Sequence, residues 1–283
     1  MILDAHTHIG KKTIVASAED LIRSMDKADI DKALVFAGKI NAQATVKLLD
    51  DIAAFKGRLY AIGSVSPLAL EPTLSNPLEA YASRRDNFLN FFEKCFKENK
   101  IHGLKFYPGY EYFFPQDDVV RPFLELLVKY DRPAIFHSGD CYNGVSGAKL
   151  KYAHPLHIDE LAVELPTLKI VIAHMGYPWV RDAAEVCYKN KNVYADTSGF
   201  VYGKFTHQNH LHFFDMMYEF QKIAGGTEKI IFGTDWPISH QRDYVRQVKE
   251  WCYCADVPKK ERKEILGLRA AQLFGIKDEA GIP

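Results

Sequence analysis

Eight times along this chain a short, β-rich apolar run gives way to a polar or Gly/Pro-containing loop and then to a stretch with helical period. The runs lie at Ile2–His8, Lys32–Ala37, Leu59–Val65, Gly103–Tyr107, Ala134–His137, Ile170–His174, Val193–Asp196 and Ile230–Asp235. Between them, stripes such as Leu48, Ile52 and Phe55, or Phe123 and Leu127 with Leu124 and Val128 beside them, make faces for packing on a sheet. Strict β-then-α alternation calls for parallel strands. Eight such units in 283 residues predict an α/β fold closed into a single (β/α)₈ TIM barrel, with an open doubly wound sheet as the competing architecture. No low-complexity tract, long Pro/Ser linker or charge block interrupts the pattern, so residues 1–283 are expected to form one domain. The stretch from Pro67 to Lys100 exceeds one loop plus one helix, and its amphipathic part around Asn87 to Phe96 predicts a helix with irregular chain before it.

Charge narrows the partners. Lys+Arg and Asp+Glu both total 36, so no net charge draws the chain to nucleic acid or to an anionic membrane, and a small-molecule substrate fits better. Five cysteines, an odd number and mostly far apart, point to reduced thiols in a chain too large to need disulfide staples. With neither a basic leader followed by an apolar run nor a stretch of membrane-spanning length, the expected location is the cytoplasm.

Unusual polar residues close several of the runs, each just before a loop, which is where a barrel keeps its active site. His6 and His8 stand two apart on a strand and so face one side, where an apolar sequence has no packing reason for two imidazoles. The runs Ala134-Ile135-Phe136-His137 and Ile170-Val171-Ile172-Ala173-His174 end alike, and Ile230-Ile231-Phe232-Gly233-Thr234 ends in Asp235. One such histidine alone would read as a hydrogen-bonded structural residue. Four histidines and an aspartate at one face read as a metal site built from His6, His8, His137 or His174, and Asp235. Imidazole plus carboxylate suits zinc, with manganese or iron compatible with the same donors. The pairs His154/His157 and Cys252/Cys254 lack partners at structural-zinc spacing and are set aside.

The order Asp4-x-His6-x-His8 on the first run, His137 on the fifth, His174 on the sixth and Thr234-Asp235 on the eighth resembles the amidohydrolase superfamily. The likeness extends to the closing segment, Ile265-Leu266-Gly267 and Ala270-Ala271-Gln272-Leu273-Phe274-Gly275, although Arg269 stands where many relatives have asparagine. Gly103-Leu104-Lys105-Phe106-Tyr107-Pro108 before the fifth-run histidine is similar to the amidohydrolase-related branch, which holds hydrolases, lactonases and decarboxylases similar to aminocarboxymuconate-semialdehyde decarboxylase. The resemblance implies a mononuclear metal as the commoner arrangement in this branch.

A bound divalent ion lowers the pKa of water to about 7, which suffices for hydrolysis at neutral pH. The favoured expectation is therefore a metal-dependent hydrolase of a small amide, ester or lactone, in which Asp235 accepts the proton of the attacking water. The alternative is a nonoxidative carboxy-lyase acting on a small carboxylic acid, in which His174 protonates the carbon that loses carbon dioxide. Two roles stay open for His174: ligand of a second metal, or neutral imidazole working on the substrate. For Lys105 the favoured role is that of a cation that binds a substrate carboxylate or pairs with a nearby acid, and the resemblance adds a second one, as the carbamylated bridge between two metals. Tyr107 joins Lys105 as a substrate-binding or metal-bridging candidate. The aromatic loop through Tyr110, Tyr112, Phe113 and Phe114 suits a flat substrate portion, packing on neighbouring loops, or a homodimer contact. Tyr202, Lys204, His207, His210 and His212 form a further polar cluster after the seventh run.

Overall fold

The computed structural model describes residues 1–11, 15–37, 42–70, 78–142 and 146–277. Among the described residues there are nine strands: β1 (Leu3–Lys11), β2 (Val15–Ala16), β3 (Lys32–Ala37), β4 (Leu59–Ser64), β5 (Ile101–Phe106), β6 (Ala134–Phe136), β7 (Ile170–Ile172), β8 (Val193–Asp196) and β9 (Ile230–Ile231). All but β2 fall on the eight apolar runs. The two-residue β2 pairs antiparallel with the end of β1, Gly10 opposite Ala16, while β1 and β3 to β9 run parallel in chain order. Helices α1 (Ala18–Lys27), α2 (Ala42–Asp51), α3 (Leu78–Lys97), α4 (Arg121–Lys129), α5 (Leu156–Glu164), α6 (Val180–Lys189), α7 (His207–Ile223) and α8 (Gln241–Cys254) lie between and after the strands. The helix expected around Asn87 to Phe96 is the second half of α3, and the irregular chain expected before it falls in part on residues 71–77, outside the described residues.

Local sequence explains the helix starts. Ser17 caps α1 through a reciprocal box, its hydroxyl accepting from the Asp20 amide at 3.2 Å while Asp20 accepts from the Ser17 amide at 3.0 Å. Thr206 accepts from the Asn209 amide at 3.2 Å and opens α7.

Side-chain alternation along the strands separates two cores. Val35, Ala61, Leu104, Phe136, Ile172, Ala195 and Phe232 face outward and pack beneath the helices. Leu34, Phe36, Ile62, Ile135, Val171 and Ile231 face inward, and Ala270, Leu273 and Phe274 of the closing helix, α9 (Arg269–Phe274), pack against them. The Phe274 carbonyl accepts from His102 Nδ1 at 2.9 Å and from Arg132 at 2.7 Å, fixing that plug. Truncating one such inward residue, for example Ile62→Ala, costs about 2–5 kcal/mol. Arg269 donates to the carbonyls of Thr227 and Ile230 at 2.9 and 2.6 Å, so the departure from asparagine retains a contact between the closing helix and the last strand.

The expectation of a closed eight-stranded (β/α)₈ TIM barrel requires correction. The sheet has nine strands in the order β2-β1-β3-β4-β5-β6-β7-β8-β9, and its ladder stays open between β9 and β1, giving a barrel-like half-barrel. The physical reason lies in β9, which offers only Ile230 and Ile231 before the backbone turns, Asp235 reaching a positive φ of 64°. What spans the seam is a single bridge, Thr7 to Trp236, and scattered backbone bonds: Ala5 to Phe232 at 2.9 Å, Asp235 to His6 at 2.8 Å and His8 to Trp236 at 2.7 Å. Among the described residues no helix is long and apolar enough to cross a membrane, and none of the five cysteines is paired in a disulfide.

Candidate metal centre

The seam gathers the polar residues. A register shift between Asp4 and Thr7 in β1 accompanies a geometry in which both imidazoles lie over Phe36, with ring centroids 4.5 Å (His6) and 5.4 Å (His8) from it. Asp235 follows β9, and its Oδ1 lies 3.2 Å from His8 Nε2 and 3.8 Å from His6 Nε2. His6 Nε2 and Asp235 Oδ1 are buried without a hydrogen-bond partner. Two bare, buried donor atoms that close are costly unless something satisfies both. Ligands about 2.1 Å from a tetrahedral ion stand about 3.4 Å apart, so these separations fit a cation held by His6, His8 and Asp235. Their donor atoms all lie within 4.8 Å of one another, as do those of a second triad, His6, His174 and Asp196.

Asp196, which closes β8, organises the imidazoles. Its Oδ2 accepts from His6 Nδ1 at 2.8 Å, which turns His6 Nε2 toward Asp235. Its Oδ1 accepts from the amides of His174 and Ser198, each at 3.0 Å, and from the Ser198 hydroxyl. Ser198 Oγ in turn lies 2.8 Å from His174 Nδ1. Since that hydroxyl gives its proton to Asp196, it accepts from Nδ1–H, and His174 presents a bare Nε2. His174 holds a left-handed φ of 62° and Met175 one of 45°, backbone states that persist where surrounding bonds enforce them. Glycine at 199 is required beside it, because a Cβ there would meet His174 Nδ1 at 2.5 Å.

Electrostatics favour neutral His6, His137 and His174 and ionised Asp196 and Asp235. Burial, aided by the Lys105 charge, lowers His6 to about 3. Burial likewise lowers His174 and, with repulsion from His174 and Lys105, holds His137 well below the usual imidazole range. For Asp196 burial alone would raise the carboxyl, but His6, His174 and Lys105 outweigh it and the net shift is downward. For Asp235 too burial alone would raise the carboxyl, and the neighbouring His8, His174 and His6 rings outweigh it, so the net shift is downward. Neutral imidazoles and carboxylates are the protonation states in which these groups bind a cation.

Lys105 projects inward from β5, its Nζ 5.3 Å from the Phe36 ring centroid and 5.4 Å from that of Tyr107. It is 1% exposed, its ammonium has no hydrogen-bond partner, and burial lowers it to about 8 against the pull of Asp196 and Asp235. Tyr107 stacks at 19° on His137, and burial raises its phenol.

Of the residues singled out in the sequence, the structure brings together His6, His8 and Asp235 and sets His174 beside His6, with ring centroids 4.8 Å apart. His137 stands apart from both triads: its ring is 5.2 Å from that of His174, but its Nε2 meets the Asp140 carbonyl at 3.0 Å. The aromatic loop packs on its neighbours, Tyr112 stacking on Tyr152 and Phe114 resting on Tyr152 and His157. In the later polar cluster His212 bonds Tyr177 at 3.1 Å and His210 bonds Gln247. Sequence reasoning missed Asp196 and Ser198. The signal was present, since the run Val193–Asp196 ends in a carboxylate just as the eighth run does.

No protein of curated function matches the sequence. Among solved structures the fold is similar to an amidohydrolase from Burkholderia multivorans with bound zinc, at 14% identity, TM-score 0.73, covering 97% of this chain and 99% of that one. It is also similar to a probable 2-pyrone-4,6-dicarboxylic acid hydrolase from Acinetobacter baumannii with citric acid bound, at 18% identity, TM-score 0.65 and coverage of 97% and 99%. A third is 5-carboxyvanillate decarboxylase from Novosphingobium aromaticivorans complexed with manganese and 4-hydroxy-3-methoxy-5-nitrobenzoic acid, at 15% identity, TM-score 0.64 and coverage of 93% and 81%. At these identities the likeness concerns the fold alone. The sequence profile of the amidohydrolase family matches residues 3–276, nearly the whole length, and this chain therefore belongs to the amidohydrolase family.

Proposed function

We propose that this protein is a metal-dependent nonoxidative decarboxylase of a small carboxylic acid, with zinc held by His6, His8 and Asp235 and manganese as the alternative ion. The observation that carries the reading is Lys105, a cation 1% exposed, without a partner, walled by the Phe36 and Tyr107 rings beside the metal-binding cluster. An unpaired buried ammonium is costly, and a carboxylate substrate removes that cost. The centre is also secluded, His6 being 0% and Asp235 6% exposed, which suits a reaction that consumes only a proton over one that consumes water. The likeness to a 5-carboxyvanillate decarboxylase supports this choice over the hydrolase favoured by sequence.

The ion, when bound, supplies positive charge that withdraws electron density from the reacting acid. Phe36 and Tyr107 bracket a flat substrate between aromatic faces. The bond from carbon to the departing carboxylate breaks, carbon dioxide leaves, and the electron pair stays on carbon. An entering acid offsets the Lys105 charge that helps keep His174 neutral, so His174 Nε2 takes up a proton and delivers it to that carbon. Ser198, bonded to Nδ1, holds the ring in line for that transfer. Residues 1–283 act in this reading as one cytoplasmic domain with reduced thiols.

The deciding experiment measures metal content of protein purified without chelator, and carbon dioxide release from a panel of aromatic and olefinic acids. One zinc or manganese per chain, absent from His6→Ala and Asp235→Ala, with carbon dioxide as product, is the expected result. Cleavage of esters or lactones without carbon dioxide would replace decarboxylation by hydrolysis. No metal after incubation with zinc or manganese would remove the reading.

A further inference from the structure

Beside Lys105 lies a second buried polar group without a partner. Ser64 ends β4, is 1% exposed, and its hydroxyl has no hydrogen-bond partner. Its backbone amide is satisfied, donating to Thr45 Oγ1 at 2.9 Å, so only the side chain is bare. Alternation settles its direction. Ile62 and Tyr60, two and four residues earlier, belong to the inward core, and a Cβ on Gly63 would point the other way, against Leu104, Phe92 and Ile101. In the parallel ladder Ser64 is the register partner of Lys105. Paired residues on adjacent parallel strands face the same side about 4.8 Å apart, so hydroxyl and ammonium enter the pocket together from its β4–β5 wall. Ser66, the next residue of that parity, is already bonded to Glu111.

We propose that Ser64 and Lys105 form a two-point carboxylate anchor, and that the carboxylate they hold stays on the substrate, which makes the substrate a small dicarboxylate. This rests on the decarboxylase reading of the same pocket. An ammonium with a neighbouring hydroxyl offers one charge-assisted and one neutral donor, which matches the two oxygens of a carboxylate. Gripping the departing carboxylate in this way would stabilise the ground state over the transition state, because that group loses its charge as carbon dioxide forms. The anchored group therefore keeps its charge throughout, and the carboxylate that leaves is a second one, at the neighbouring His6, His8 and Asp235 cluster.

Calorimetric titration of the metal-loaded protein with benzoate and with isophthalate, the benzene 1,3-dicarboxylate, tests this. Isophthalate is expected to bind at least about tenfold more tightly than benzoate, since a hydrogen bond to a charged group is worth about 1.5–3 kcal/mol and each 1.4 kcal/mol is tenfold. Ser64→Ala should weaken both by about tenfold, Ser64→Thr should restore most of the loss, and Lys105→Met should abolish benzoate binding. Metal content, measured on the same samples, should not change in the Ser64 variants. Equal affinity of Ser64→Ala and wild type for both acids would overturn the anchor, and equal affinity of wild type for the two acids would overturn the dicarboxylate. Protein that takes up no metal yet shows the Ser64 effect on benzoate would sink the metal-dependent reading and leave the anchor standing.

Discussion

Replacing Lys105 by methionine should make the protein more stable while destroying ligand binding. The substitution exchanges an ammonium for an apolar group of similar length in a site 1% exposed. Burial takes the amine from 10.5 to about 8. That difference, about 2.5 pH units at 1.36 kcal/mol each, corresponds to about 3 kcal/mol by which the folded state disfavours the charged lysine. The sign follows from proton counting. Below pH 8 folded and unfolded chains both hold the proton and the whole penalty applies. Between pH 8 and 10.5 the unfolded chain binds a proton that the folded one has released, so wild-type stability climbs and the advantage of the variant fades. With an unfolding entropy of about 2.1 cal/mol/K per residue, 283 residues give about 0.6 kcal/mol/K, so 3 kcal/mol raises Tm by about 5 °C. Scanning calorimetry of chelator-treated wild type and Lys105→Met at pH 7 and pH 10 reads this directly. A Tm for the variant equal to or below that of wild type at pH 7 would show that the fold itself compensates the ammonium, and the case for an anionic substrate would lose its basis.

Two further perturbations probe the supports of the centre. Ser198→Ala leaves His174 Nδ1 without its 2.8 Å partner; nitrogen-15 NMR of the metal-free protein should show the imidazole shifting from one tautomer to a mixture, whereas unchanged nitrogen shifts would refute the positioning role. Asp4, raised to about 7 by burial, accepts from Gln241 Nε2 at 2.8 Å and from Thr234 Oγ1 at 2.6 Å, tying β1 to the turn before Asp235. Its folded carboxyl keeps a proton that the unfolded chain loses above 3.8, so wild-type stability falls by about 4 kcal/mol as pH rises from 3.8 to 7. Urea denaturation should show the lead of wild type over Asp4→Asn shrinking from pH 5 to pH 7, and a lead independent of pH would contradict that assignment.

Much of this protein is written in local order. The alternation of apolar runs and helical stripes located all eight parallel strands, and the histidines and aspartate ending those runs fall at one end of the sheet, because strand period and strand polarity are properties of the chain itself. The interleaving of His6, His8 and Asp235 with β-forming residues likewise pointed to a cation-binding face. Closure of the sheet was not legible, since it depends on how many residues of β9 pair before Asp235 turns the backbone, a balance struck against β1 some 225 residues away in sequence. Nor was the division of labour among the histidines. His137 and His174 end their runs in the same way, yet one meets the Asp140 carbonyl and the other the Ser198 hydroxyl. Ser64, an ordinary serine in sequence, gains meaning only because the β4–β5 register sets it beside a lysine that the core leaves unpaired. Hydrogen bonds and charges across strands are three-dimensional quantities, and the tertiary structure alone decided them.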